Sequence, residues 1–187
     1  MQRIIEKLQT LKSADPRLAD LMASFFVPKS FKKGVLLSMP DYSYPILYFI
    51  EEGLVRGYFV NGEEERTAWV IESGFFLPST GFFSNGASIE YVSFLKDSQT
   101  YALNLIQFDE QAAKSPGLYR MLLEIYEEHI LEGKVRENML RIHLAEQRYL
   151  YFKDRHPRLT ELLSHDVLAS YLSIDSKYLF FIKKKYF

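Results

Sequence analysis

Residues 165–184 read HDVLASYLSIDSKYLFFIKK. The spacing predicts two short helices that meet at a steep angle through a tight turn. Such a pair needs a small residue where the helices cross, and Ala169 supplies it. It needs apolar residues facing the second helix, and Leu168 and Leu172 supply them. Ile174 plugs the turn, while Leu179 and Ile182 sit three apart on the inner face of the second helix. The turn position, most often glycine, is Ser173, a residue less comfortable at positive φ. Asp175 or Ser176 can cap the second helix by accepting its free N–H groups. This is a helix-turn-helix pattern, although a plain helical hairpin would satisfy much of it.

Charge bears on the choice. After Asp175 no acid occurs, whereas Lys177, Lys183, Lys184 and Lys185 do. A basic helix end suits phosphate contacts. It also complements the helix dipole without any ligand.

Working back along the chain, Ala145–Phe187 reads as short helices. His156–Pro157 breaks it after a helix holding Leu150 and Phe152. A long helical stretch begins at Ser115–Pro116. Leu118, Met121, Leu122, Ile125, Ile130, Val135, Met139 and Leu140 recur along it, and Gly133 marks a bend or a close approach. A helix of this length needs a partner surface: a dimer seam or the body of the protein. Asp109–Lys114 reads as a short helix. Before it, from Phe26 to Phe108, short runs rich in Val, Ile, Tyr and Phe alternate with turn residues. The expected strands are Val35–Ser38, Ile46–Glu51, Leu54–Val60, Thr67–Ile71, Tyr91–Lys96 and Gln99–Leu105. Asn61–Gly62 is the strongest hairpin signal, suited to a type I′ turn. Many short strands at this spacing predict a closed β-barrel or a jelly roll. The first residues form an amphipathic helix carrying Ile4, Ile5, Leu8 and Leu11, and Asp15–Pro16 opens a second.

Composition excludes several chemistries. The chain of 187 residues has no cysteine, so disulfides, thiolate metal sites and thiol nucleophiles are out. Its net charge of −1 gives no global basic field, and any nucleic-acid surface must be local. No apolar run is long enough to span a bilayer, and the N-terminus lacks the apolar core of a signal peptide. These features fit a cytoplasmic protein. The four histidines, His129, His143, His156 and His165, all fall after the strand region and lack metal-ligand spacing. That argues against a metal-dependent barrel enzyme and a haem sensor. Walker-type, Rossmann and G-x-S-x-G patterns are missing too. No metal, no cofactor and no catalytic role are expected.

The order of parts, with YFIEEGLVRGYF at 48–59 and AEQRYLYFKDRHPRLTELLSHDVLASYLSID at 145–175, resembles the Crp/Fnr transcription regulators. It is most similar to the short, divergent branch common in Bacteroidetes. The resemblance spans nearly the whole chain and rests most specifically on Ala145–Tyr149 and Leu168–Leu172. It implies a cyclic-nucleotide-binding-type barrel, homodimerisation along the long helix, and insertion of the second helix of the motif into the major groove of a palindromic operator.

Two departures from that family alter the expectation. Nucleotide-binding members carry a Gly-Glu pair and an arginine that neutralises the cyclic phosphate. Here the matching region, residues 74–98, contains no arginine, and Glu90 falls near its place. A carboxylate facing a poorly solvated phosphate is repulsive, so cyclic nucleotides are not expected to bind. Ser79, Thr80, Gly81, Ser84 and Ser88 can hydrogen-bond a different small-molecule effector, with Phe82, Phe83 and Tyr91 as apolar walls and Glu90 among them. Equally, these side chains can simply fill the interior. The second departure is at the recognition helix, where the family's guanine-reading arginine is replaced by Phe181.

The expectation is an α+β chain in three parts: a sensor β-barrel or jelly roll over 1–117, a connecting dimerisation helix over 118–144, and a helix-turn-helix over 145–187. Its function is DNA-binding transcription regulation without response to cyclic AMP, in a cytoplasmic homodimer that binds double-stranded DNA. Lys183, Lys184 and Lys185 support the contacts of Ser176, Lys177, Tyr178 and Phe181. The alternative is a sensor or interaction module that has lost sequence-specific DNA binding, with Phe180, Phe181, Tyr186 and Phe187 buried.

Overall fold

The computed structural model describes residues 1–78 and 80–186. Two helices open the chain, α1 (Gln2–Gln9) and α2 (Pro16–Ser24). Asp15 caps α2 by accepting from the Leu18 N–H at 2.9 Å. Eight strands follow: β1 (Val27–Phe31), β2 (Leu36–Ser38), β3 (Ile46–Glu52), β4 (Val55–Asn61), β5 (Glu64–Ile71), β6 (Gly74–Phe76), β7 (Tyr91–Phe94) and β8 (Ser98–Asn104). Six helices complete it: α3 (Leu105–Ala112), α4 (Pro116–Leu140), α5 (Ala145–Arg155), α6 (Pro157–Leu162), α7 (His165–Leu172) and α8 (Ser176–Lys185).

The strands form two antiparallel four-stranded sheets, ordered β1-β8-β3-β6 and β2-β7-β4-β5. The jelly-roll reading holds and the closed-barrel reading does not. β1 and β5 remain edge strands, and a closed barrel would have none. Two strands escape the sequence reading. β1 contains Pro28 at a sheet edge, where a missing N–H is tolerated, and β6 has only three residues. The hairpin at Asn61–Gly62 forms one residue later than expected. Asn61 pairs with Glu64 in the ladder, leaving Gly62 and Glu63 as the turn. Only Gly62 of these takes positive φ, at 65°, so the turn follows the type II′ pattern and not type I′.

Three apolar clusters result. Val55, Phe76, Val92 and Phe94 meet Tyr48 and Ile50 of β3 between the sheets. Leu47 and Phe49 of β3 point the other way, onto α1, α2, α3 and the first half of α4. The run Ile46–Ile50 is therefore apolar throughout because both faces of β3 are covered. The third cluster joins Met139, Tyr149, Phe152, Leu168, Leu172, Leu179 and Ile182 across the C-terminal helices.

α4 packs only part of its apolar stripe inward. Leu118, Met121, Leu122, Ile125 and Met139 are buried, whereas Leu123, Ile130, Leu131 and Val135 are exposed. Gly133 does not break the helix, and a Cβ built on it meets nothing within 4 Å. The expected close approach does not occur there within the chain. Among the described residues no helix is long and apolar enough to cross a membrane.

Candidate functional site

The helix-turn-helix forms as its residues dictate. Leu168, Ala169, Leu172, Ile174, Leu179 and Ile182 are all buried. Ser173 takes the left-handed conformation, φ 51° and ψ 48°, that ends α7. Of the two candidate caps, Asp175 is the one that accepts from the N–H of Tyr178, at 2.9 Å. Ser176 instead donates its hydroxyl to Asp166 at 3.1 Å, and the His165 ring meets the Ser176 carbonyl at 2.7 Å. These contacts tie the starts of α7 and α8 together.

A buried arginine fixes the turn. Arg148 on α5 donates to the Ile142 carbonyl at 2.6 Å and to the Ser173 carbonyl at 2.9 Å. Burial lowers its pKa from the usual arginine value. The sequence reading noted Ala145–Tyr149 only as a resemblance. The physical role of that stretch lies in this two-carbonyl clamp.

α8 presents its outer face to solvent. Lys177, Phe180, Phe181 and Lys184 recur at helical spacing on that face, and all are exposed. Phe181 is 63% exposed and Phe180 58%, their rings edge to face at 5.9 Å. With His165 and Ser176 they line a shallow groove of about 330 Å³. Tyr178 is also exposed. Lys183 is half-buried. Lys185 pairs with Glu146 at 2.8 Å, and Tyr186 also hydrogen-bonds Glu146, anchoring the end of α8 to α5. Of Phe180, Phe181 and Tyr186, Tyr186 alone packs against the third cluster. Phe187 lies outside the described residues.

The effector residues named from sequence do not converge on one pocket. Ser79 lies outside the described residues. Thr80, Gly81 and Ser84 belong to a turn. Gly81 has φ 80°, and a Cβ there would sit 2.3 Å from the Gly86 carbonyl oxygen, so the turn itself requires glycine. Phe82 is buried in the helix-side cluster. Phe83 is exposed and meets Tyr126 of α4 edge-on at 5.1 Å. Tyr91 stacks on Tyr58 at 5.2 Å, on the sheet face opposite to Val92 and Phe94. Ser88 and Glu90 are buried, and the Ser88 hydroxyl accepts from the Glu90 N–H at 3.2 Å.

Glu90 has a partner that the sequence reading missed. The indole N–H of Trp69 donates to its carboxylate at 3.0 Å. Trp69 lies flat over Gly57, where a Cβ would come within 2.1 Å of the ring. It also contacts Phe76 and the His129 ring of α4. The register of β5 shifts between Thr67 and Trp69, and such a bulge re-aims the neighbouring side chain. The only tryptophan of the chain thus fills the interior beside β4.

The same strand holds the C-terminal helices. The Thr67 N–H donates to the Ser170 hydroxyl oxygen at 2.8 Å, and that hydroxyl donates to the Glu65 carbonyl at 2.9 Å. Arg136 of α4 donates to the Thr67 carbonyl at 2.8 Å and to the Tyr171 carbonyl at 3.0 Å. Its guanidinium lies over the Tyr171 ring at 4.8 Å. α7 therefore covers the open edge of β5. Nothing in the residue pattern marked Ser170 or Arg136, because each acts on backbone groups distant in sequence.

No family model matches the chain, and no curated protein sequence matches it. Solved structures do. FixK2 from Bradyrhizobium japonicum superposes with a TM-score of 0.71 at 15% identity, over 86% of this chain and 83% of that one. The c-di-GMP-responsive global regulator CLP of Xanthomonas campestris gives 0.69 at 15% identity, over 91% of each chain. A transcriptional regulator of the CRP/FNR family from Thermus thermophilus gives 0.63 at 18% identity, over 85% and 84%. The chain has the fold of the Crp/Fnr-type transcription regulators.

Proposed function

We propose that the protein is a transcription regulator that binds double-stranded DNA as a homodimer and does not respond to cyclic AMP. The observation that carries this reading is the solvent-facing surface of α8, with Lys177, Lys184 and the front residues Ser176, Tyr178 and Phe181 turned outward from a rigidly clamped helix pair. A recognition helix must be free to enter a groove, and this one is. Lys177 and Phe181 packed inward would favour the sequestered alternative, and in this chain both are exposed. Residues 1–117 serve as the sensor part, 118–144 as the dimerisation helix and 145–187 as the DNA-binding part. The exposed Leu123, Ile130, Leu131 and Val135 of α4 supply the apolar seam a second copy would cover.

Indifference to cyclic nucleotides rests on Glu90 and Trp69. A buried carboxylate repels a phosphate, and the half-buried indole of Trp69 already lies against it. A regulator and not a catalyst, located in the cytoplasm, is the role that fits the fold.

The test is selection from random-sequence duplex DNA at fixed moderate salt, with and without cyclic AMP, alongside sedimentation analysis. Enrichment of a palindromic site, unchanged by cyclic AMP, with a dimer in solution, is the expected result. Enrichment only with cyclic AMP overturns the nucleotide reading. No enrichment in either condition overturns the regulator reading.

A further inference from the structure

The face of α8 that carries Lys177 and Lys184 is aromatic at its centre. Phe180 and Phe181 expose more than half of their surface there, packed edge to face. Burying neither ring leaves a large apolar area in water, which a helix on a protein surface seldom keeps without a use. The residues around them select the occupant. From Ser176 to Phe187 the chain has four lysines and no acid, and the neighbouring carboxylates are engaged: Asp166 by the Ser176 hydroxyl, Asp175 by the Tyr178 N–H and Glu146 by Lys185 and Tyr186. A basic rim around an apolar centre matches duplex DNA, whose phosphates flank the groove. Within the major groove the apolar feature that marks sequence is the thymine C5-methyl group.

We infer that Phe181, with Phe180 beside it, reads thymine methyl groups in the operator, so that sequence recognition at this position is apolar and directed at T. The inference rests on the regulator reading above. Lys177 and Lys184 then serve as phosphate contacts on either side of the aromatic pair. A phenyl ring offers no donor to guanine O6 and N7, so G gains nothing at the contacted position. Arg148 and the Asp175 cap hold α8 through the preceding turn, so the rings enter the groove on a fixed helix and not on a mobile loop.

The experiment uses the intact protein and the duplex enriched from the random pool. Thymine at the contacted positions is replaced by deoxyuridine, which keeps the hydrogen-bonding edge and lacks only the methyl group. Burying one methyl group is worth about a fourfold change in an equilibrium constant. Removing one from each half-site should therefore weaken binding roughly fifteenfold. F181A, checked for unchanged helix content by circular dichroism, should bind more weakly and lose this sensitivity to deoxyuridine. F181R should move the preferred base from T to G, because a guanidinium donates to O6 and N7 together. Binding that is sequence-specific yet indifferent to deoxyuridine in the unaltered protein overturns the inference and leaves the regulator reading standing. So does sensitivity that persists in F181A. Failure to bind any duplex, even at low salt, overturns both.

Discussion

Replacing Arg148 by Met tests whether the turn of the helix-turn-helix is held by the clamp described above. Met keeps most of the apolar stem and removes the guanidinium. The Ile142 and Ser173 carbonyls, met at 2.6 and 2.9 Å, then lose their donor. A hydrogen bond to a charged group contributes about 1.5–3 kcal/mol, so two give about 3–6 kcal/mol. Part of this is returned. Arg148 is 9% exposed, and its Nε has no hydrogen-bond partner among the described residues. Relieving that desolvation offsets about 1–2 kcal/mol. The expected net loss is about 1–5 kcal/mol. Arg148→Lys should fall between, because an ammonium is a point donor and lacks the fork. Urea unfolding supplies two signals: circular dichroism for the helices, and fluorescence of Trp69, which sits in the jelly roll. The helical transition of R148M should shift by the stated amount, with a smaller shift in the fluorescence transition. A helical loss below about 1 kcal/mol would mean that the two bonds contribute nothing net, and the clamp argument fails.

Ser173→Gly should stabilise the protein by about 0.5–1 kcal/mol, since relief of the left-handed strain exceeds the added chain entropy of glycine; a loss in thermal or urea unfolding contradicts it. Ser170→Ala removes the hydroxyl that bridges Glu65 and Thr67, and the Thr67 amide should exchange with solvent at least tenfold faster, about 1.4 kcal/mol of lost protection. An unchanged Thr67 exchange rate shows that α7 does not depend on this contact. Burial lowers the pKa of His129 below its ordinary 6.5, and burial with Arg155 nearby lowers that of His156. Their neutral forms are therefore favoured in the fold, so stability is full above pH 6.5 and falls as the pH drops below it. Glu132, raised by burial and then by Glu128, works in the opposite sense, losing stability as the pH rises above 4.5. His129→Gln should flatten the decline between neutrality and pH 5 to 6, and an unaltered slope in urea midpoint against pH refutes the assignment.

The helix-turn-helix was legible because its packing is local. Ala169, Ile174 and the Leu179–Ile182 pair are within fourteen residues of one another, and each constraint acts at helical spacing. The jelly roll was legible in outline for a similar reason: Ile46–Ile50, Leu54–Val60 and Gln99–Leu105 carry strong strand composition. β1 was hidden by Pro28. The candidate effector pocket was the weakest part of the reading, because pocket membership depends on which side of a sheet a residue faces. A one-residue uncertainty in register reverses that, as with Tyr91, which turns away from the interior while Val92 enters it. Trp69 was invisible as a plug because its position depends on Gly57 on one neighbouring strand and on the bulge after Thr67. Arg136, Arg148 and Ser170 were invisible because their partners are backbone groups, which leave no trace in residue type.

The interior and the C-terminal helices meet on one strand. Trp69 faces Glu90 and α4, while Thr67, two residues earlier on β5, bonds both Ser170 of α7 and Arg136 of α4. The bulge between them ties the two positions to a single backbone segment. An occupant of the interior that displaced the indole would have to move this segment, and α7 is bonded to it directly. An occupant that left Trp69 and β5 in place would not act through this segment. Such a ligand could bind tightly and still shift no equilibrium, since only differential affinity moves a population. An effector that acts through β5 would be recognised by its consequence for Trp69. Because the chain has one tryptophan, its fluorescence separates a ligand that displaces the indole from one that occupies a surface groove.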